Sequence, residues 1–304
     1  MNARLLFVHA LAPLHAGTGQ GVGAIDLPIA REKATGLPFL PGSSLKGALR
    51  DVEAVGVDDA TRTLLFGPPT TNADEHAGSV QFSDQRLLCM PIRSLAGTFA
   101  WVTSPYVLRR FARDARDTGA APDLPTELPD WKAPEANETE RCAVSEGGTA
   151  LVVPGANKIV LEDLDLVPAP NAAVTAWAAW LAKGLFPDDE PDAAAWREAF
   201  GARLCVVRDD LYDFLLLTAT EVFARVRLKD EQKTVEKGGL WYEEALPAES
   251  ILAGLVVATR IENRAGRHLS PDTIFNAVTA LTATPVQLGG KATVGRGLCR
   301  VRLV

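Results

Sequence analysis

The order of apolar and polar positions along the chain predicts strands that alternate with helices. Residues 4–14 are mostly apolar and include β-branched and aromatic side chains, which is typical of a strand. Residues 41–50 have the form of a helix start, in which Ser43 or Ser44 can cap the free backbone amides. Further strands are predicted at 78–88, 203–209, 214–228 and 298–304, and further helices at 107–116, 172–185 and 271–282. This order suggests an α+β fold with a ferredoxin-like core.

Two stretches interrupt the regular pattern. Residues 118–149 hold four prolines among acidic side chains and few large aliphatic ones. We therefore expect a surface insertion there rather than core. Residues 228–246 have apolar positions on both sides of Gly238 and Gly239, and this glycine pair predicts the turn of a β-hairpin.

The composition is that of an ordinary globular protein. With 304 residues, of which 47% are hydrophobic and 23% charged, the chain can bury a core without disulfides or metal ions. Its longest nearly uncharged apolar stretch, 172–182, is too short to cross a bilayer, and the N-terminus lacks a secretory signal. We expect a cytoplasmic protein without a membrane partner. The cysteines form no C-x-x-C pair and the histidines no H-E-x-x-H pair, which disfavours a zinc site.

Charge is distributed unevenly along the chain. The net charge is −7, yet residues 1–50 and 260–304 are basic while residues 112–200 are strongly acidic. Binding to a polyanion depends on the local surface rather than on the total charge, so basic ends are compatible with nucleic acid. Taken alone, the same distribution also fits solvated surfaces that merely differ in sign.

Two glycine-rich segments invite comparison with phosphate-binding loops. The segment 289–297 is not a Walker A loop, because Ala292 follows Lys291 where a hydroxyl side chain is needed for magnesium. The segment 17–23 does not have the G-x-G-x-x-G spacing either. What remains at 289–297 is a loop with little side-chain bulk and the cations Lys291 and Arg296, which suits a phosphodiester backbone. A tight structural turn is the alternative.

The predicted helix at 41–50 offers a second place for an anion. Its first amides lack partners within the helix, and the helix dipole favours negative charge at this end. Lys46 and Arg50 are four residues apart and so share one face. This pattern is typical of phosphate ligands, although a solvated helix face would look the same.

Together these segments resemble the RAMP superfamily of CRISPR RNA-binding proteins. The resemblance rests on the glycine-rich turn after the first strand, on L-P-F-L-P-G-S-S-L-K-G-A-L-R at 37–50 and on G-G-K-A-T-V-G-R-G at 289–297. The run T-V-E-K-G-G-L-W-Y-E-E-A-L-P at 234–247 is similar to the backbone subunit of the type III-B (Cmr) effector complex. These anchors lie near both termini, so the resemblance spans the chain.

The resemblance implies a fold, an assembly and partners. The fold would be a modified ferredoxin-like or RRM core in one domain over 1–304, with insertions at about 112–200 and a protruding thumb hairpin at about 228–246. Copies would stack head-to-tail along the CRISPR guide RNA, together with other type III subunits. Each thumb would displace one nucleotide of the duplex between guide and target RNA at regular intervals.

The resemblance also implies RNA-binding residues. The guide phosphates would be held by Ser43, Ser44, Lys46, Arg50, Gly289, Gly290, Lys291 and Arg296. In the thumb, Leu240 and Trp241 would wedge against a base, as apolar and aromatic side chains do elsewhere. Packing within the hairpin is the alternative for Trp241.

Cleavage of target RNA in this family depends on an acidic residue in the loop after the first strand, which here is Asp26. This carboxylate would orient or deprotonate the ribose 2′-OH, or bind a divalent ion (Mg²⁺ or Mn²⁺) that has no dedicated high-affinity site. His15 is a candidate proton carrier, and Glu243 and Glu244 are further acidic candidates. The alternatives are that Asp26 caps a turn, that His15 is structural, and that the two glutamates are an exposed carboxylate pair.

Three other functions remain open at this point. The same scaffold can bind RNA without cleaving it, or the chain can be a type III-A backbone subunit or a precursor-processing endoribonuclease. A small-molecule enzyme is disfavoured because no cofactor motif is intact. In an RNA-bound filament, we expect the acidic segment 112–200 to make few RNA contacts.

Overall fold

The computed structural model describes residues 2–19, 25–69, 71, 75–121, 123–130, 139–229, 232 and 234–304. Within these ranges the strands are β1 (Asn2–Ala10), β2 (Phe39–Leu40), β3 (Val80–Phe82), β4 (Gln85–Arg93), β5 (Phe99–Thr103), β6 (Arg141–Ser145), β7 (Ile159–Leu161), β8 (Leu164–Asn171), β9 (Leu204–Val206), β10 (Glu221–Leu228), β11 (Val235–Ala245), β12 (Ile251–Ala258), β13 (Val286–Gln287) and β14 (Leu298–Leu303). The helices are α1 (Gly42–Arg50), α2 (Asp59–Phe66), α3 (Pro105–Asp117), α4 (Ala172–Leu185), α5 (Ala193–Gly201), α6 (Asp209–Thr218) and α7 (Pro271–Leu281). Part of the predicted glycine-rich turn at 17–23, including Gly21 and Gly23, lies outside the described residues.

One large mixed sheet organises the molecule. Its strand order is β13-β14-β1-β12-β4-β5-β9-β6-β8-β7, with β2 beside β4 and β3 beside β12. The strands β14, β1, β12 and β4 pair antiparallel, whereas β5 with β9 and β6 with β8 pair parallel. This mixture of sheet and helices confirms the predicted α+β class.

The core lies where α3 and α4 cover the central strands. Phe7 of β1 is fully buried, and its ring lies 5.9 Å from that of Phe111 and 6.3 Å from that of Trp180. Gly184 of α4 permits this packing, since a Cβ there would lie 2.9 Å from the Phe7 ring. Burial of each such large apolar side chain contributes roughly 1.5–3 kcal/mol. The predicted helices at 107–116, 172–185 and 271–282 are confirmed as α3, α4 and α7.

The predicted surface insertion at 118–149 is wrong for its last part. Strand β6 is a core strand, with Cys142, Ala143 and Val144 almost fully buried. It pairs with both β8 and β9, so it lies in the interior of the sheet. A run of three small apolar residues among polar ones is too short to predict a buried strand from its sequence pattern.

The predicted strand at 214–228 is partly wrong, because its first residues belong to α6. This helix begins with Asp209 and Asp210, whose charges favour a helix N-terminus, and it buries Tyr212, Leu215 and Leu216. The strand β10 starts only at Glu221.

The strands β10 and β11 form a separate two-stranded hairpin, which confirms the predicted thumb-like element. It starts at Glu221 rather than near residue 228. Gly238 and Gly239 lie inside β11 and not at its turn, so that part of the prediction is wrong. Gly238 has φ of +75°, and the strand register shifts between Val226 and Leu228, as expected for a β-bulge.

Of the helices that the structure describes, none combines the length and apolar character needed to cross a membrane.

Candidate nucleic-acid interface

The segment that carries Asp26 lies along the base of the hairpin. The Asp26 side chain is exposed, and its Oδ2 accepts a hydrogen bond of 2.8 Å from the backbone N–H of Tyr242. Leu27 extends the contact, because its N–H donates to the carbonyl oxygen of Tyr242 and its own carbonyl accepts from the N–H of Glu244. The loop after β1 is thereby fixed against β11, with the carboxylate of Asp26 facing solvent.

Glu243 connects the hairpin to the glycine-rich loop. Its side chain is buried, and its carboxylate accepts hydrogen bonds from Trp241 Nε1 at 2.8 Å and Arg225 Nε at 3.2 Å. Lys291 Nζ lies 3.3 Å from its Oε1. Burial alone would raise the pKa of the Glu243 carboxyl, but these three donors together lower it below its usual value. Glu243 is therefore a charged group that joins three elements.

Glu244 also joins neighbouring segments, and its side chain lies on the opposite face of β11 from that of Glu243. Its carboxylate accepts from Arg31 Nη2 at 2.7 Å, from Thr220 Oγ1 at 2.9 Å and from the N–H of Ile29 at 3.1 Å. The side chain is only 4% exposed. The suggested exposed carboxylate pair is therefore wrong for both glutamates, and Glu244 fixes the chain that follows Asp26.

His15 is buried beside these groups. Its Nδ1 lies 2.6 Å from the carbonyl oxygen of Glu244, so this nitrogen carries the proton in that hydrogen bond. The other ring nitrogen, Nε2, faces Gly17, where a Cβ would lie only 2.6 Å away. The backbone carbonyl of His15 accepts from the N–H of Gly290 at 2.9 Å. His15 thus connects the end of β11 with the glycine-rich loop.

The loop at 289–297 packs against the turn that follows β1. Gly289 has φ of +71°, and a Cβ there would lie 2.5 Å from the carbonyl oxygen of His15. The close approach allows Lys291 to reach Glu243. At the other end of the loop, the Arg296 guanidinium lies 3.6 Å from the centre of the Phe223 ring in β10, a cation–π contact.

Helix α1 begins differently from its prediction. Its N-cap is Pro41, and no side chain caps the helix, so capping by Ser43 or Ser44 is wrong. Instead the N–H of Gly42 donates to Asp84 Oδ1 at 2.9 Å. Both serine side chains are exposed, which leaves their hydroxyl groups at the surface of the first turn.

The two cations of α1 have different surroundings. Arg50 Nη2 donates to the carbonyl oxygens of Gly67 and Pro68, at 3.1 Å and 2.9 Å, so its guanidinium holds the end of α2. Burial, and then the nearby Arg50, lower the pKa of the Lys46 ammonium. The predicted shared face is confirmed, and of the two cations Arg50 is committed to a structural contact.

The hairpin has two chemically different faces. The face that includes Leu240 is apolar, with Val222, Val226, Leu228, Val235, Leu240 and Tyr242 each exposed by 40–52%. The opposite face carries Trp241, which pairs across the hairpin with Arg225. Because successive residues of a strand point to opposite faces, Leu240 and Trp241 act on different sides.

Two clefts lie at the base of the hairpin. The smaller, of about 340 Å³, is lined by Asp26, Leu27, Arg227, Trp241 and Lys291. The larger, of about 530 Å³, extends from His15 and Lys291 past Gly289 and Gly290 to Ser44 of α1. Lys291 lines both clefts, which also take in the predicted site residues Asp26, Trp241, His15, Ser44, Gly289 and Gly290. The other predicted site residues line neither cleft: Ser43, Lys46, Arg50, Leu240, Glu243, Glu244 and Arg296.

A family model of the RAMP superfamily matches residues 7–300. The chain belongs to the RAMP superfamily. It is 34% identical over 313 residues to the CRISPR system Cmr endoribonuclease Cmr4 of Pyrococcus furiosus, which covers 100% of this chain and 96% of that relative. It is 23% identical to the CMR subunit Cmr4 of Saccharolobus solfataricus, with 97% of this chain and 94% of the relative covered.

A comparison with solved structures leads to the same family. The crystal structure of oligomeric Cmr4 from Pyrococcus furiosus has a TM-score of 0.70 at 27% identity and covers 99% of this chain and 97% of its own. The full-length relationship at 34% identity places this RAMP protein in the Cmr4 family, which confirms the predicted resemblance to the Cmr backbone subunit. A type III-B Cmr-beta complex bound to cognate target RNA also has a TM-score of 0.70, and at 20% identity it shows the shared fold.

For a divalent ion, this RAMP protein offers an incomplete set of ligands. Within the described ranges, no three His, Cys, Asp or Glu side chains come together as metal ligands. Asp26 has an exposed carboxylate with one oxygen engaged by Tyr242, whereas Glu243 is held by cations. The residues therefore fit an ion that takes a single protein carboxylate and completes its shell with water and RNA phosphate oxygens.

Sequence reasoning missed several residues of this site. Arg227 and Tyr242 lie beside Asp26, and Arg31 and Arg225 hold the two glutamates. The alternation of arginines with Val222, Val226 and their neighbours in β10 is visible in the sequence. Once the hairpin is known to start at Glu221, this alternation indicates one polar face.

Proposed function

We propose that this chain is the guide-RNA-binding backbone subunit of a cytoplasmic type III-B CRISPR effector complex. In this proposal it also cleaves complementary target RNA at regular intervals, with Asp26 as the catalytic residue. One observation carries the proposal: Asp26 presents its carboxylate in a cleft at the base of the hairpin, together with two cations and an indole ring. The full-length relation to a Cmr endoribonuclease supports the same activity.

The chemistry follows from the position of Asp26. Cleavage requires the ribose 2′-OH to lie in line with the leaving 5′-oxygen, a geometry that a nucleotide displaced by the hairpin can reach. The Asp26 carboxylate accepts the 2′-OH proton, the 2′-oxygen bonds to phosphorus, and the bond from phosphorus to the 5′-oxygen breaks. The 5′-oxygen takes a proton from water, because the predicted carrier His15 is buried, lines the larger cleft rather than that of Asp26 and carries its proton on Nδ1 toward Glu244. The products are a 2′,3′-cyclic phosphate and a 5′-hydroxyl.

A divalent ion, Mg²⁺ or Mn²⁺, would be held by Asp26. When bound, it would supply positive charge to the reacting phosphate. The Tyr242 N–H keeps the carboxylate in place through Oδ2, so the other oxygen, Oδ1, would hold either the ion or the 2′-OH.

The guide RNA would follow the larger cleft. Its phosphates would meet the exposed hydroxyl groups of Ser43 and Ser44 and the Lys46 ammonium, and they would pass close to Gly289 and Gly290, which have no side chains to block the approach. Arg296 would extend this track from its stack on Phe223, and Arg50 would shape it indirectly through its hold on α2. Head-to-tail copies and other type III subunits complete the proposed assembly, as the oligomeric Cmr4 relative suggests.

We also propose that the central strands are a modified ferredoxin-like core. The spatial order β14-β1-β12-β4 corresponds to 4-1-3-2 in chain order, with α1 after the first strand and α7 before the last. The acidic insertions are then the strands and helices added beyond β4. Glu190 of this region pairs with Arg300 and Arg302 of β14, which supports our expectation that it makes few RNA contacts.

The test is a cleavage assay with a guide-complementary RNA and the reconstituted complex, containing either the wild-type chain or Asp26→Ala. We expect evenly spaced products that require a divalent ion and that vanish with Asp26→Ala while assembly is unchanged. Identical cutting by both complexes would instead indicate a scaffold subunit, and catalysis would then belong to another protein of the complex.

A further inference from the structure

Two cations from distant parts of the sequence share the small cleft with Asp26. Lys291 comes from the loop after β13, and Arg227 comes from β10 of the hairpin. Together with Trp241 they line an open, shallow cleft of about 340 Å³. A carboxylate, two cations and an aromatic ring are the groups that a reacting ribose, its phosphate and its base require.

Lys291 is held in a specific orientation. Its backbone lies in the left-handed region with φ of +67°, which costs a lysine on the order of 1 kcal/mol and persists only where the surroundings enforce it. Two contacts enforce this conformation. Gly289 packs closely against the carbonyl oxygen of His15, and the Lys291 ammonium forms an ion pair of 3.3 Å with Glu243. Glu243 is nearly fully buried and so fixes the Lys291 ammonium, while the Lys291 side chain stays 36% exposed and can take a further contact.

Arg227 is held more loosely. Its side chain is 70% exposed, and its guanidinium lies 3.9 Å from Glu236 Oε2. It lines the cleft together with Trp241 of the hairpin and Lys291 of the glycine-rich loop. A guanidinium in this position is available to a phosphate that enters the cleft, and it binds two phosphate oxygens at once.

We propose that Lys291 and Arg227 bind the scissile phosphate of the target RNA from two sides. This assignment rests on the proposed function and moves Lys291 from the guide-phosphate track to the reaction itself. The guide phosphates remain with the α1 side of the larger cleft. Lys291 forms the wall between the two clefts, whereas Arg227 lines only the smaller one.

The two cations act on charge that develops during cleavage. As the 2′-oxygen bonds to phosphorus and the 5′-oxygen leaves, negative charge grows on the non-bridging oxygens. An ammonium fixed by Glu243 and a guanidinium stabilise that charge without rearranging, and loss of one such donor typically lowers a rate by about 10²–10³-fold. The proton from the 2′-OH still goes to Asp26, and the 5′-oxygen still takes one proton.

The experiment compares Lys291→Met and Arg227→Met in the reconstituted complex with guide RNA. Lys237→Met is the matched control, because Lys237 is an exposed cation of the same hairpin that does not line the cleft. Single-turnover cleavage is measured at saturating target, beside the affinities for guide and target RNA. A target with one phosphorothioate at the cleavage site reports contact with the non-bridging oxygens.

We expect each variant to cleave about 100-fold more slowly while its affinity for guide RNA stays within twofold of wild type. The factor by which the phosphorothioate slows cleavage should be smaller in both variants than in the wild type, and it should be unchanged in Lys237→Met. A merely structural role for Lys291 would lower the rate without changing the sulfur effect, which would overturn the proposal. Loss of guide binding by Lys291→Met with normal cleavage by Arg227→Met would overturn it as well.

The same assay separates this proposal from the proposed function. If Asp26→Ala abolishes cleavage but both cation variants cleave normally, only the scissile-phosphate assignment fails. If Asp26→Ala cleaves like wild type, the catalytic role of the chain fails with it. Should Lys291→Met not fold, Arg227→Met decides, because its side chain lies on the exposed hairpin.

Discussion

The backbone N–H of Tyr242 donates a hydrogen bond of 2.8 Å to Oδ2 of Asp26. This contact joins the loop after the first strand to the second strand of the hairpin, 216 residues later in the chain. The carboxylate proposed for catalysis therefore moves with the hairpin that is proposed to displace a target nucleotide. Together with the backbone hydrogen bonds of Leu27 to Tyr242 and Glu244, this contact would couple displacement to cleavage.

This contact leads to a prediction for Asp26→Asn. The amide oxygen of asparagine still accepts from Tyr242, so the hairpin stays in place, but asparagine neither accepts the 2′-OH proton nor supplies an anionic metal ligand. We expect cleavage to fall by at least about 100-fold with unchanged guide binding. The measurement is single-turnover cleavage by the assembled complex. Asp117→Asn, at the exposed end of α3, is the control and should cleave normally.

Glu244 predicts a change in stability. Glu244→Ala removes the acceptor for Arg31, Thr220 and the Ile29 N–H, and it leaves the mostly buried Arg31 without its carboxylate. We expect a loss of about 2–4 kcal/mol in the free energy of unfolding, measured by urea denaturation of the isolated chain. Glu262→Ala, which breaks an exposed pair with Arg260, should cost less than about 1 kcal/mol. Equal effects of the two substitutions would contradict a buried anchoring role for Glu244.

Glu32 predicts a dependence of stability on pH. Hydrogen bonds from Arg110 and Thr35, aided by the charge of Arg86, outweigh burial and lower the pKa of the Glu32 carboxyl from 4.5 to about 2. A lowered folded-state pKa means that this stabilisation is complete above pH 4.5 and is lost as the pH falls toward 2. Glu32→Gln should therefore cost about 3 kcal/mol near pH 7 and clearly less at pH 3. A cost that is the same at both pH values would exclude this carboxylate as the cause, and Glu53→Gln serves as the exposed control.

The two faces of the hairpin predict different outcomes for two neighbouring residues. Leu240→Ser changes a side chain that is 52% exposed, so stability should stay within about 0.5 kcal/mol. If its face displaces the target nucleotide, 2-aminopurine placed at that nucleotide should lose its fluorescence increase. Trp241→Phe removes the donor to Glu243 Oε1, and we expect about 1 kcal/mol less stability together with slower cleavage. If Trp241→Phe instead removed the fluorescence increase and Leu240→Ser instead lowered stability and slowed cleavage, the roles of the two faces would be reversed.

The sequence predicted those parts of the fold whose pattern is local. The helix α4 has the same bounds in the prediction and in the structure, because its apolar residues and its N-cap Asn171 lie within one stretch. The second half of α6 was predicted as the start of a strand, since the run from Phe214 to Leu217 is apolar throughout and fits either period. The glycine pair at 238 and 239 predicted a turn, whereas its backbone freedom serves a bulge within β11.

In the candidate site too, the sequence could predict what lies in local motifs but not what depends on contacts between distant residues. Asp26, Lys291 and Trp241 each lie in a short motif, so the sequence could nominate them one by one. Their common cleft depends on the pairing of β10 with β11 and on the packing of the glycine-rich loop against His15. Both are contacts between residues that are distant in the sequence. Arg227 belongs to no motif, and only the fold of the hairpin brings it into the same cleft as Lys291.

The alternation along β11 limits how this protein can change over time. Leu240 and Tyr242 serve one face, and Trp241 and Glu243 serve the other, so the two tasks are interleaved residue by residue. Gain or loss of a single residue between them would present the apolar side chains to the reacting phosphate and the indole to the displaced base. Lengthening of this strand near its base therefore keeps both tasks on their own faces only when it comes in steps of two.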